Sequence, residues 1–227
     1  MRILCIADSL ALPREGCPYE STWFFKLKEA YPQHEFIHYF KRGLLIKEAL
    51  EQFDLYYKYY EPDIVVLQTG VCDCAPRYIN DKRSIWKLLI KICISLGCES
   101  LFWKIVKLRG RSENCVYTKF EFFTQAYDTL IKNFVQENIG VNKIYAILIG
   151  KSTETIIKKN HLFNENVNRY NNAIISIAER YKEKVEVLSP LGIPTDDIFT
   201  DGYHCNEKGM TRVFKELKEK IDSFNSV

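Results

Sequence analysis

The chain has 227 residues, with 32 Lys and Arg against 29 Asp and Glu, a formal net charge of +3. That balance is too mild to point to a nucleic-acid partner, and lysines break every apolar stretch before it is long enough to span a bilayer. A hydrophobic content of 47% supplies a core for one domain over residues 1–227, carrying an insertion at about 78–118.

In chain order, Arg2 is followed by Ile3, Leu4, Cys5, Ile6 and Ala7, the unbroken apolar run of a strand covered on both faces. Four more short β-branched or aromatic runs follow at 35–40, 63–69, 143–149 and 184–189. Pro62 marks the entry to the third run and Pro190 the end of the fifth. Helix-length segments separate the runs, and helices are expected at 19–31, 44–60, 120–138, 164–181 and 207–224. Such a βαβ series predicts an α/β three-layer sandwich with a five-stranded parallel sheet.

Residues 84–111 are unusual for a crossover. Apolar residues from Trp86 to Leu108 are interleaved with Lys87, Lys91, Lys104, Lys107, Arg109 and Arg111. Gly97 is expected to divide the stretch into two amphipathic helices. The bland expectation is a helical hairpin packed on the core or on a second copy in a homo-oligomer. The sharper one is peripheral contact with an anionic membrane surface.

Eight cysteines are present, but no charged-then-apolar leader is read ahead of the first strand. The expectation is reduced thiols in a cytoplasmic protein, at the inner face of the membrane if 84–111 docks there. Cys72 and Cys74 have two-thiolate spacing without a second pair, so no metal site is expected.

Chemistry concentrates at the two ends. Asp8-Ser9 directly follows the first strand, and open α/β sheets bind ligands at the carboxyl ends of their strands. Asp201-Gly202-Tyr203-His204 precedes the last helix. The three-residue spacing lets acid and base point the same way from a helical or near-helical turn. Serine, histidine and an acid are the groups that turn a hydroxyl into a nucleophile at neutral pH. His34, His38 and His161 have no acid at useful spacing and read as structural.

These residues resemble the GDSL, or SGNH, hydrolases, a family of serine esterases and acyl-hydrolases with a flavodoxin-like fold. The family's Gly-Asp-Ser-Leu block stands as Ala7-Asp8-Ser9-Leu10. Its second-block glycine fits Gly43, and its Gly-x-Asn-Asp block stands as Gly70-Val71-Cys72-Asp73. Its Asp-x-x-His block is intact at Asp201 to His204. The resemblance implies Ser9 as nucleophile, His204 as base and Asp201 as the acid that orients it. It implies an oxyanion hole from the Ser9 and Gly43 N–H groups, with Cys72 where the family has an asparagine donor. A thiol is a weak donor, and losing one such donor costs about 10²–10³ in rate. Asp8, Gly70 and Asp73 are expected to support the loops, Asp73 by accepting backbone hydrogen bonds.

Arg14, Arg42 and Arg77 follow the first three strands. Guanidinium forks match carboxylates and phosphates, so the three are candidates for an anionic part of the substrate, such as a uronate or sugar phosphate. The alternative is pairing with Asp8, Asp73 or Glu15 to brace the loops, the preferred reading for Arg42. The resulting expectation is a cofactor-free ester hydrolase, or acyltransferase, acting on a short acyl group of a saccharide or small molecule. O-acetyl on a carbohydrate is the favoured case. The alternatives are a non-catalytic binding or assembly protein on the same scaffold and a lipid-acting thioesterase or lysophospholipase.

Overall fold

The computed structural model describes residues 1–136 and 140–225. Five strands, β1 (Arg2–Ala7), β2 (Glu35–Phe40), β3 (Ile64–Gln68), β4 (Lys143–Ile147) and β5 (Val185–Leu188), form one sheet in the order β2-β1-β3-β4-β5. Every pair is parallel. The strand order turns back between β1 and β3, and the carboxyl ends of strands flanking such a switch form the natural binding crevice.

The helices are α1 (Trp23–Ala30), α2 (Ile46–Leu55), α3 (Val71–Cys74), α4 (Ser84–Ser95), α5 (Glu99–Leu108), α6 (Phe120–Gln136), α7 (Glu154–Ile157), α8 (Phe163–Arg180) and α9 (Glu207–Asn225). The pleat sorts the strand side chains. Ile3, Cys5, Ile64 and Val66 pack with Trp23 and Leu27 of α1 and with Met210, Val213 and Leu217 of α9. Leu4, Ile6, Val65 and Leu67 pack with Phe53 of α2, Phe123 and Leu130 of α6, and Val167 and Ile174 of α8. Two faces, each covered by helices, make the three layers read from the sequence.

Expected helix 19–31 begins later, as α1, because Thr22 is extended and its hydroxyl accepts the Phe25 N–H at 3.3 Å. A side-chain cap of this kind starts a helix where the sequence period alone suggests continuity. Expected helix 44–60 breaks after Leu55. A 3-10 turn over Tyr57–Tyr60 follows and ends at Glu61, which sits at φ +45° before Pro62. A proline disfavours helix at the residue preceding it. Asn138, at the end of the expected helix 120–138, lies outside the described residues.

Gly97 divides 84–111 into α4 and α5, at φ +68°. The core-packed version of this hairpin is not what forms. Helix α4 buries no side chain and α5 buries only Val106. The two helices pack on each other, with Trp86 and Phe102 ring centroids 6.5 Å apart. Among the described residues no helix is long and apolar enough to cross a membrane, and all eight cysteines are unpaired.

Candidate active site

The serine loop is built by the end of β1. The Asp8 N–H donates to the Gln68 carbonyl at 3.1 Å and extends the pairing with β3 by one residue. The Asp8 carboxyl then accepts the Leu10 N–H at 2.9 Å and starts a 3-10 turn over Ser9–Ala11. Ser9 thus opens a sharp turn at the switch point. Arg14 donates to the Ser9 carbonyl and braces the turn.

The acid and base sit in a loop tied at several points. Phe199 bridges Cys205, the Thr200 N–H donates to the His204 carbonyl at 2.8 Å, and the Thr153 N–H donates to the Gly202 carbonyl at 2.8 Å. Gly202 is needed there. It sits at φ +98°, and a Cβ would lie 2.8 Å from Ile156 and 3.0 Å from the Thr153 hydroxyl. Residues 201–204 are a run of bends rather than a helical turn. The Asp201 carboxylate accepts the His204 N–H at 3.0 Å and the Tyr203 N–H at 3.4 Å, folding the loop around its own acid.

These two loops meet. Ser9 Oγ lies 3.1 Å from His204 Nε2, and His204 Nδ1 lies 2.7 Å from Asp201 Oδ2. An Nδ1–H donated to Asp201 leaves Nε2 free to accept the serine proton. Burial pushes the His204 pKa below the usual histidine value; the hydrogen bond to Asp201 opposes this and the charges of Arg14 and Arg42 add to it. For Asp201, burial alone would raise the pKa. Hydrogen bonds from the His204 ring and backbone outweigh burial and hold it below the usual carboxylate range. The Tyr203 ring packs against His204, with centroids 4.0 Å apart and planes inclined by 35°.

The Gly43 turn lies beside the serine because the Lys41 N–H donates to the Ala7 carbonyl at 3.1 Å. Gly43 adopts φ +74°, and among the described residues its N–H has no protein acceptor. Cys72 follows the α3 N-cap Gly70, whose φ is +115° and where a Cβ would lie 2.8 Å from Ile149 Cδ1. Burial, with the charges of Asp8 and Asp73, pushes the Cys72 thiol up to about 12. It is therefore a neutral thiol at the place of the resembled family's asparagine. Asp73 accepts the Ile46 N–H at 3.2 Å on both oxygens and the Thr118 hydroxyl on one, which joins three loops. Burial pushes Asp8 and Asp73 each up to about 7, opposed by their hydrogen bonds.

For Arg14, Arg42 and Arg77, the loop-bracing ion pairs weighed against substrate binding do not form: among the described residues none of the three pairs with Asp8, Asp73 or Glu15. Arg14 turns inward to the Ser9 carbonyl, Arg42 is exposed, and the Arg77 guanidinium lies 3.5 Å from the centroid of the Tyr117 ring. Arg77 is the anchor of a bridge to Ser112, and its backbone N–H donates to Cys115 at 2.8 Å. A cleft of about 850 Å³ opens beyond it, lined by Lys47, Lys82, Arg83, Arg109, Tyr117 and Trp86 among others, and by neither Ser9 nor His204.

Sequence reading missed Tyr203, Thr118 and the asparagines that hold the Cys74–Arg77 loop. Asn166 donates to the Cys74 carbonyl at 2.8 Å and Asn160 to the Pro76 carbonyl at 3.1 Å. Nothing in one sequence separates such an asparagine from a solvated one. Asn171 accepts the N–H of Ile149 and donates to its carbonyl, both at 2.9 Å. His34 and His38 pack against Tyr31 and against Phe24 and Phe40 respectively, away from the site. Among the described residues no cluster of three metal-ligating side chains forms.

No protein-family model matches the sequence, and no curated protein is similar to it in sequence. Solved structures are similar in fold. The psychrotrophic esterase EstA from Pseudoalteromonas sp. superposes with a TM-score of 0.62 at 15% identity, covering 100% of this chain and 99% of that one. The acetyl xylan esterase AlAXEase gives 0.64 at 16%, covering 97% and 100%. The lipase/acylhydrolase from Enterococcus faecalis gives 0.63 at 14%, covering 97% of each. A lipolytic protein of the G-D-S-L family from Desulfitobacterium hafniense DCB-2 gives 0.58 at 12%, covering 97% and 98%. The chain therefore has the α/β fold of the GDSL/SGNH-type esterases and acylhydrolases it resembles in its motifs.

Proposed function

We propose that this chain is a serine ester hydrolase that removes a short acyl group, with O-acetyl on a carbohydrate as the favoured substrate. The observation that carries the reading is the unbroken relay from Ser9 Oγ through His204 to Asp201, at 3.1 and 2.7 Å. His204 Nε2 takes the Ser9 proton as Oγ attacks the ester carbonyl. The tetrahedral oxyanion forms against the Ser9 and Gly43 N–H groups. His204 returns the proton to the leaving alcohol, which leaves an acyl-serine, and water activated by the same histidine releases the acid. A second alcohol in place of water would make the reaction an acyl transfer. The carbohydrate assignment draws support from two structural neighbours, an acetyl xylan esterase and a two-domain esterase active on acetylated mannans. This chain spans 48% of the latter. The guanidinium of Arg77, which follows the third strand, suits a carboxylate or phosphate on such a saccharide.

One observation favours a different reading. Cys72 replaces a side-chain oxyanion donor with a poor one, as a binding protein that retained the scaffold would tolerate. The test is turnover of p-nitrophenyl acetate and longer esters, with fluorophosphonate labelling, for wild type and Ser9→Ala. Turnover and labelling that vanish together in the variant are expected. A folded wild type that neither turns over any ester nor labels would reject catalysis, and a preference for long chains would replace the carbohydrate substrate with a lipid.

A further inference from the structure

The α4–α5 hairpin exposes more apolar side chain than any contact of the chain accounts for. Helix α4 carries two apolar stripes. Trp86, Ile90 and Cys93 are half-buried, and Trp86 meets Phe102 of α5. Ile85, Leu88, Leu89, Ile92 and Leu96 recur at spacings of three and four on another side and are 38–72% exposed. Helix α5 adds Leu101, Ile105 and Leu108, exposed by 56–87%. A helix that is apolar on two sides and packed on one has a second partner to find.

Charge selects the partner. Between residues 82 and 111 there are eight Lys and Arg and one acid, Glu99. Glu99 accepts the Trp103 indole N–H at 3.2 Å, and among the described residues none of the eight cations forms an ion pair. A second copy docked through this face about a two-fold axis would bring like charges together. A soluble polyanion such as nucleic acid would satisfy the cations and leave the leucines and isoleucines in water. A bilayer with anionic headgroups satisfies both, with apolar side chains in the acyl boundary and lysine stems reaching back to phosphates.

We propose that α4 and α5 form a docking element for the surface of an anionic membrane, with the exposed stripe inserted at the headgroup boundary. Docking would hold the basic cleft at the foot of the hairpin near that surface, since Lys82, Arg83, Trp86 and Arg109 line it. The inference does not depend on Ser9 being catalytic.

The test is flotation of the full chain with vesicles of phosphatidylcholine alone and with about 30 mol% phosphatidylglycerol, whose anionic surface attracts basic segments. Wild type should float with the anionic vesicles at least tenfold more than with the neutral ones and lose binding in high salt. Leu88→Glu/Ile92→Glu, on an exposed face, should fold with an unchanged circular dichroism spectrum and lose the binding. Lys87→Glu/Lys91→Glu should lose it also. Absence of flotation, equal flotation with both vesicles, or a dimer by analytical ultracentrifugation that Leu88→Glu/Ile92→Glu dissolves would each overturn the proposal. Tighter binding to single-stranded DNA than to anionic vesicles would do the same.

Discussion

At the residue scale the histidine is the group whose environment predicts most. Burial holds the His204 pKa below its ordinary value of 6.5, so the neutral, proton-accepting form persists into mildly acidic solution. Activity needs that neutral form, so kcat/KM should fall as pH drops through a midpoint below 6.5. A pH–rate profile with its acid limb centred above 6.5 would contradict this. Cys72 makes the second residue-scale prediction. If the thiol is a poor substitute for an oxyanion donor, Cys72→Asn should raise kcat on acetyl esters by about tenfold or more with little change in KM. An unchanged or lower kcat would mean that another group already supplies the donor.

At the element scale, two buried carboxyls hold the loops that frame the serine. Asp8 starts the serine turn and Asp73 ties the first turn of α2 to Thr118. Burial raises both from 3.8 to about 7, so between those values the folded chain binds more protons than the unfolded one. Their contribution to stability is full only below the ordinary value of 3.8, declines as pH rises from there to about 7, and is gone above it. Asp8→Asn retains an acceptor for Leu10 and abolishes one of these charges. Its Tm should therefore gain on the wild-type Tm as pH is raised from about 5 to about 8 in parallel melts. A constant difference across that range would show that Asp8 does not titrate there. This support was partly legible in the sequence. An aspartate directly after an apolar strand and before a serine reads as a turn-starter. The partners, Ile46 and Thr118, come from distant segments and carry no local mark.

At the scale of the whole molecule, the hairpin stands apart from the two layers of helices that stabilise the sheet. Only Val106 of its helices is buried, and the chain on either side is already joined by the Arg77–Ser112 bridge and by Asn80, which donates to the Val116 carbonyl at 2.8 Å. Replacing residues 84–108 by a short Gly-Ser turn should leave Tm within about 3 °C and turnover of soluble acetyl esters within about twofold. A melt broadened or lowered by about 10 °C or more would place the hairpin in the cooperative core.

What the sequence by itself determined is local. The five strands, the long helices between and after them, the break at Gly97 and the two chemical loops were readable, because apolar period and turn residues report on their immediate surroundings; the one-turn helices α3 and α7 were not. The strand boundaries at Thr69 and Ile149 ran one or two residues long, since hydrophobicity continues where pairing stops. What only the tertiary structure decided is adjacency. Ser9 and His204 are 195 positions apart and meet because β1 lies centrally in the sheet and α9 packs beside α1 on one face. The place of Arg14 after a strand did not reveal its partner either: across the tight Arg14–Cys17 loop it donates to the serine carbonyl. Packing on the core was one of the expectations for the hairpin, yet the sheet's faces were already filled by α1, α2, α6, α8 and α9. Periodicity states which way a side chain points from its own element, whereas burial and hydrogen-bond reach are sums over every element around it.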